Sequence, residues 1–351
     1  MNDGSPLLAG YRGVVCDLDG VVYRGKDPVE DAQSALRDCL ESGVPVVFAT
    51  NNAARLPGVV AAQLNSLGIA IGEDQVLTSS QASAAYLSRE LAPGARVLAV
   101  GGEGVSAALT EYGLTPVAPR ENGDVEAVLQ GYGAEVTAAD LAETSRMVSQ
   151  GRRWVATNPD LTLPNEWGLG PGCGAFLAVV TIATGRRPDV TIGKPHPPLY
   201  LECAGRLELP AHALLAIGDR LDTDIDGAAA AGMDCVWVLT GVDDIVALVT
   251  HPEHATPTYV MTTLAGLHRP YARPVADPAN DAEASCDGLG MSLVDSGGQL
   301  EWAVSGDSPG DEWDRRNAVL RGGLSLLLAR RERGLDGHTL VRLSQQLATL
   351  R

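Results

Sequence analysis

Short apolar runs alternate with helix-like segments over residues 1–78 and again over 188–268. The stretch between them, 79–187, carries its own alternating set, and beyond a proline-bearing stretch at 269–280 the pattern changes. Together these observations predict an α/β protein. Its core is a Rossmann-like, doubly wound parallel sheet with a second α/β domain inserted into it, and a small α+β module over 281–351 follows.

The elements follow in order. Residues 11–16 read as a strand, 29–42 as a helix stopped by Gly43, 44–49 as a buried strand and 56–67 as a helix stopped by Gly68. Glycine just past the last apolar position is the usual helix stop. The insert holds helices at 80–91, 103–112, 137–149 and 174–184, and strands at 96–100, 125–131 and 153–156. From 188 the first pattern resumes, with a helix at 198–207, a strand at 213–217, a helix at 222–231 and a strand at 235–239. One continuous large sheet is the alternative arrangement. Pro270, Pro274 and Pro278, among few large apolar residues, mark 269–280 as a linker. Strands at 291–294 and 300–304, then amphipathic helices at 313–330 and 339–350, make up the tail.

Composition narrows the function. The chain has 351 residues, 45% of them hydrophobic, and a net charge of −18. Nucleic acid and anionic membranes should be repelled, because binding phosphate backbones requires a basic surface. An anionic substrate would have to be drawn in by a metal and a few placed cations. Only two lysines occur, Lys26 and Lys194, against 24 arginines, so each lysine is informative. The six cysteines are scattered without a CxxC pair, which reads as reduced, buried thiols of a cytoplasmic protein. No signal-peptide pattern and no apolar run of membrane-spanning length is visible.

Four motifs carry chemistry. Asp17-Leu18-Asp19-Gly20 closes the first apolar run. Alternate residues of a strand share a face, so Asp17 and Asp19 should crowd one spot, where their repulsion calls for a cation or a shared proton. An Asp-Gly surface turn is the plainer alternative. Thr50-Asn51-Asn52 follows the second strand. Its hydroxyl and amides suit phosphate oxygens, or equally a helix cap. Gly193-Lys194-Pro195 pins a lysine, a point charge suited to a phosphoryl oxygen, although a surface loop lysine would look the same. Gly218-Asp219-Arg220-Leu221-Asp222-Thr223-Asp224 follows a third strand. It would complete a Mg²⁺ site through Asp219, or simply begin a helix with acids. Ligands of open parallel sheets bind beyond the carboxyl ends of the strands, so these motifs should converge.

In this order, each after an apolar strand, the four motifs resemble those of the haloacid dehalogenase-like phosphatase superfamily. The insert resembles the large cap of its NagD-type branch through Thr157-Asn158-Pro159-Asp160, Pro171-Gly172-Cys173-Gly174, Ala183-Thr184-Gly185 and the 193–197 segment. The resemblance covers about residues 10–265. It implies a small phosphorylated metabolite as substrate and an aspartyl-phosphate intermediate on Asp17. Asp19 would act as the acid and base. Mg²⁺ would be held by the Asp17 side chain, the Asp19 backbone carbonyl and Asp219, with Asp224 orienting water or the lysine. Thr50, Asn51, Asn52 and Lys194 would hold the phosphoryl group. Caps of this branch often mediate dimers, which implies a homo-oligomer.

Pyridoxal-phosphate phosphatases of the branch resemble one another in a His before the proline that follows the TNxD segment; here Leu163 precedes Pro164. Leu also stands there in branch members acting on glycerol 3-phosphate and phosphoglycolate, or it merely packs the cap. GC-rich bacterial relatives with an extra C-terminal segment include glycerol-3-phosphate phosphatases. Glycerol 3-phosphate is therefore the expected ester, with phosphoglycolate, pyridoxal phosphate, a nucleotide or phosphotransfer as alternatives. The tail faintly resembles part of an N-acetyltransferase-like fold but lacks a Q-x-x-G-x-G loop, so packing or oligomerisation is its expected role.

Overall fold

The fold described here is a computed structural model. It describes residues 4–121, 123–165, 168–277, 282–308 and 310–350. Pro278 and the rest of the expected linker end, with residue 281 at the start of the expected tail module, lie outside the described residues.

In chain order, β1 (Gly13–Cys16) leads to a small hairpin, β2 (Tyr23–Arg24) and β3 (Asp27–Pro28). Then come α1 (Ala32–Glu41), β4 (Val46–Thr50), α2 (Pro57–Ser66), β5 (Val76–Thr78) and α3 (Ser79–Glu90). The insert comprises β6 (Arg96–Val100), α4 (Glu103–Glu111), β7 (Thr115–Val117), β8 (Ala127–Gln130), α5 (Ala138–Ser149), β9 (Arg153–Ala156), the hairpin β10 (Thr162–Asn165) and β11 (Gly168–Pro171), α6 (Cys173–Thr184) and β12 (Val190–Thr191). The chain returns through α7 (Pro197–Arg206), β13 (Leu214–Gly218), α8 (Asp226–Ala230), β14 (Asp234–Val238), α9 (Ile245–Thr250) and β15 (Tyr259–Met261). The tail holds β16 (Val275–Ala276), β17 (Glu283–Cys286), β18 (Leu289–Asp295), β19 (Leu300–Ser305), α10 (Glu312–Glu332) and α11 (Gly337–Leu350).

Six parallel strands form the core sheet in the order β15-β14-β13-β1-β4-β5. A separate parallel sheet, β12-β9-β8-β6-β7, forms the cap. The two sheets are distinct, so the single large sheet does not form. The core strands are buried on both faces (β1, β4 and β13 along their whole length), which is why they read as continuous apolar runs rather than alternating ones.

Two expectations change. Val190–Thr191 lie on the core side of the expected boundary at 188, yet they pair in parallel with Val155 and Ala156 of the cap sheet. The tail sheet has four antiparallel strands, β16-β17-β18-β19, rather than two. The strand Glu283–Cys286 consists of small and polar residues whose alternation appears only once Ala284 and Cys286 are buried on one face. One apolar cluster runs from Leu109 and Leu129 of the cap through Trp237 of the core to Leu327 and Leu347 of the tail. No described helix is long and apolar enough to cross a membrane. The six cysteines are free and buried.

Candidate active site

The carboxyl ends of β1, β4, β13 and β14 meet at one edge of the core sheet. Asp17 follows β1 and donates its amide to the Ile217 carbonyl of β13 at 2.9 Å. Asp219 follows β13, Thr50 ends β4, and residues 240–242 follow β14. Because these strands are adjacent and parallel, short loops suffice to bring their side chains together.

Carboxylate oxygens of Asp17, Asp219 and Asp224 lie within 4.8 Å of one another. Lys194, only 3% exposed, extends its ammonium between them. It donates to Asp17 Oδ1 and, at 2.8 Å, to Asp224 Oδ1. Burial works against the lysine charge, but Asp17 and Asp224 prevail and hold its pKa above the ordinary range. Burial pushes the Asp17 carboxyl up against the pull of Lys194, with Asp224 and Asp219 adding to the push. Asp219 is pushed up to about 7, by burial first and then by Asp224. With all three acids ionised and Lys194 charged, the cluster carries two uncompensated negative charges, and buried charge of that size needs a partner.

A divalent cation fits this cluster on its own evidence. Asp219 is fully buried; its Oδ2 accepts from the Val242 amide at 2.7 Å, while its Oδ1 is buried without a hydrogen-bond partner among the described residues. An orphaned buried carboxylate oxygen beside two further carboxylates is a hard-oxygen donor set of the kind Mg²⁺ takes. The loops close tightly over Asp219. A Cβ on Gly20 (φ +85°) would stand 2.3 Å from its Oδ2, and one on Gly241 1.8 Å from it. The Thr240 hydroxyl donates to the Gly20 carbonyl at 2.8 Å, and the Trp237 indole to the Asp219 carbonyl at 2.9 Å.

The other predicted residues are placed less uniformly. β1 ends at Cys16, and the chain turns after Asp17, with the Val22 amide bonded back to the Leu18 carbonyl at 2.8 Å. Asp19 therefore does not share a strand face with Asp17. Its carboxyl lies outside the three-acid cluster, its pKa raised by desolvation against the pull of Arg55 and Lys194. The neighbours crowding Asp17 are Asp219 and Asp224, more than 200 residues on. Lys194 does not close a core strand either; it lies on the segment returning from cap strand β12.

Thr50 is buried, and its Oγ1 accepts from the Asn52 amide at 3.0 Å; Asn52 is exposed and its Oδ1 accepts from the Ala54 amide at 3.1 Å. The Asn51 side chain, expected on the phosphate, is engaged elsewhere. Its Oδ1 accepts from the Lys194 amide at 2.8 Å, and its Nδ2 donates to the Lys194 carbonyl and to both Asp160 oxygens, each at 3.1 Å.

Sequence reasoning did not single out Asp160, Asn158 or the Val242 amide. Asp160 and Asn158 sit in the Thr157–Asp160 stretch, where only family likeness marked them. The Val242 amide is a backbone group with no residue-type signal, although the Thr240-Gly241 pair after β14 marks a further strand end at the same edge.

The haloacid dehalogenase-like hydrolase pattern matches residues 14–115, and the related HAD-hydrolase-like pattern residues 191–267. A D-glycerol 3-phosphate phosphatase of Mycobacterium tuberculosis is 41% identical over 256 residues, 73% of this chain and 70% of the relative. An acid sugar phosphatase of Staphylococcus aureus is 35% identical over 71% of this chain and 93% of its own length. A crystal structure of a glycerol phosphate phosphatase from Mycobacterium tuberculosis in complex with magnesium superposes with a TM-score of 0.76 at 33% identity. That likeness covers 95% of this chain and 93% of the other, so it takes in part of the tail.

Proposed function

The chain belongs to the haloacid dehalogenase-like hydrolases, among which it is a phosphoric monoester phosphatase, and we propose that its substrate is glycerol 3-phosphate, cleaved to glycerol and inorganic phosphate. The observation that carries this reading is the likeness to the mycobacterial glycerol phosphate phosphatase, which reaches beyond the catalytic core into the tail. Leu163 adds support. It stands opposite Gly170 in the β10–β11 hairpin, three residues after Asp160, so an apolar side chain rather than an imidazole lies in that part of the cap. A small sugar phosphate is the second reading, favoured by the staphylococcal relative.

In the mechanism we propose, Asp17 is the nucleophile. A carboxylate oxygen of Asp17 attacks phosphorus, the ester P–O bond breaks, and Asp19 gives its proton to the leaving alkoxide. Desolvation pushes the Asp19 carboxyl up from its usual value, against the pull of Arg55 and Lys194, which is the direction a proton donor needs. Water, deprotonated by Asp19, then displaces phosphate and restores the Asp17 carboxylate. Lys194 pulls the Asp17 carboxyl toward its ionised form against the push of burial, and its ammonium keeps one hydrogen beyond its two carboxylate bonds for a phosphoryl oxygen. The Thr50 hydroxyl, whose oxygen already accepts from Asn52, has its proton to donate. Mg²⁺, held by Asp17, Asp219 and the Asp19 backbone carbonyl, would neutralise phosphoryl charge.

A panel of phosphate esters assayed for Mg²⁺-dependent phosphate release tests the substrate. Glycerol 3-phosphate should exceed pyridoxal phosphate and nucleotides in kcat/KM by ~10-fold or more. Preference for either of those would end the proposal.

A further inference from the structure

We propose that Asn51 and Asp160 form a clamp that positions Lys194, so that an acidic residue of the cap sets the placement of the core's catalytic cation. Because Lys194 lies on the segment returning from cap strand β12, no core strand fixes its height above the sheet. What fixes it is the Asn51 amide, which bonds the Lys194 peptide at both ends: Lys194 N–H to Oδ1 at 2.8 Å, and Nδ2 to the Lys194 carbonyl at 3.1 Å. The remaining amide donor is taken by Asp160, which receives Nδ2 on both carboxylate oxygens at 3.1 Å. An asparagine amide can flip between two orientations, and a carboxylate accepts only from the nitrogen. Asp160 therefore selects the orientation in which Oδ1 faces the Lys194 amide.

The clamp is built on rigid parts. Asn158, 4% exposed, donates Nδ2 to the Asn51 carbonyl at 2.7 Å and accepts the Asp160 amide on Oδ1 at 3.2 Å. The Ser79 hydroxyl donates to the same Asn51 carbonyl at 2.7 Å. Glycines wall the assembly. A Cβ on Gly193 would meet Asn51 Oδ1 and the Thr157 carbonyl at 2.6 Å, and one on Gly172 the Asp160 carbonyl at 2.3 Å. Asp160 touches none of the three clustered carboxylates in this arrangement, so it acts through Asn51 and is a positioning residue.

The inference rests on the phosphatase reading but not on which ester is hydrolysed. The test therefore uses p-nitrophenyl phosphate beside glycerol 3-phosphate, at saturating Mg²⁺, for Asp160→Ala, Asp160→Asn, Asn51→Ala and the double alanine variant. Asp160→Ala should lower kcat ~10-fold on both esters with KM moving less than ~3-fold, since the loss falls on the transferring phosphoryl group rather than on binding. Asp160→Asn, which keeps one acceptor oxygen for Nδ2, should recover most of that loss. The double variant should be no slower than Asn51→Ala, because both residues act through one amide. Should Asn51→Ala fail to fold, the Asp160 pair alone decides. An unchanged kcat in Asp160→Ala, multiplicative losses in the double variant, or a loss on glycerol 3-phosphate alone would overturn the clamp. The last result would make Asp160 a contact to the leaving group. Rejection of glycerol 3-phosphate by the unsubstituted enzyme as well as by every variant, with the expected ratios on p-nitrophenyl phosphate, would sink the substrate proposal and leave the clamp standing.

Discussion

Gly20 decides how near the loop after β1 can come to Asp219. Its φ of +85° and the 2.3 Å approach of a would-be Cβ to Asp219 Oδ2 leave no room for a methyl group. Gly20→Ala should displace that carboxylate, raising the Mg²⁺ concentration for half-maximal activity ~10-fold or more, as metal titrations of the activity would read. Trp237 is a second sensitive residue, because its buried indole satisfies the Asp219 carbonyl. Trp237→Phe preserves most packing but orphans that oxygen, so urea unfolding should report about 1–3 kcal/mol lost. At this scale the sequence was legible where chemistry is scarce: one of two lysines, and acids that close apolar runs. It was not legible for Asn51. Whether an amide meets phosphate or a peptide depends on Lys194 arriving from 143 residues away.

The π-helical turn at Leu221–Ile225 brings Asp224 back under the site, its Oδ2 accepting from the Arg220 amide at 3.2 Å. Where the acidic run read as the start of a regular helix over 222–231, the α-helix begins only at Asp226. The wider turn lets Asp224 meet Lys194. Beside it, the loop after β14 supplies the Val242 amide to Asp219. With its pKa pushed up to about 7, Asp219 binds a proton more readily folded than unfolded. Its contribution to stability is thus full at acidic pH and fades as pH rises through about 7. Metal-free protein should lose thermal stability from about pH 4 to about pH 7, between the unfolded and folded pKa of Asp219, and Mg²⁺, which competes with the proton, should raise Tm more at pH 8 than at pH 6. Thermal-shift curves with and without Mg²⁺ would show this; an Mg²⁺ shift larger at pH 6 would contradict it. The long apolar strands and glycine-stopped helices of the core were readable because burial on both faces leaves an unbroken run. β12 and β17 were not, because two residues or a run of small ones carry no period of their own.

Across the whole molecule the tail is part of the core rather than an appendage. α11 packs on α9, and Leu248 and Val249 share one apolar cluster with Leu343 and Leu347. Arg321, buried, lies 3.8 Å over the Tyr271 ring, and Asn317 accepts from the Thr262 amide at 3.0 Å while donating to Thr262 Oγ1 at 2.9 Å. Asn317→Ala strands these groups and should cost about 1–3 kcal/mol, visible as a Tm drop of several degrees, with kcat/KM for p-nitrophenyl phosphate unchanged. The core, cap and tail sheets share an apolar cluster behind four strand ends that meet at a common edge, and the proposed chemistry passes a phosphoryl group through one carboxylate there. Acid quenching during turnover, followed by peptide mapping, tests this most directly. The phosphoryl group should be found on the peptide containing Asp17, and Asp17→Asn should keep the fold, trap nothing and turn over at least ~1,000-fold more slowly. A phosphoryl group trapped on any other residue, or near-normal turnover in Asp17→Asn, would contradict the account.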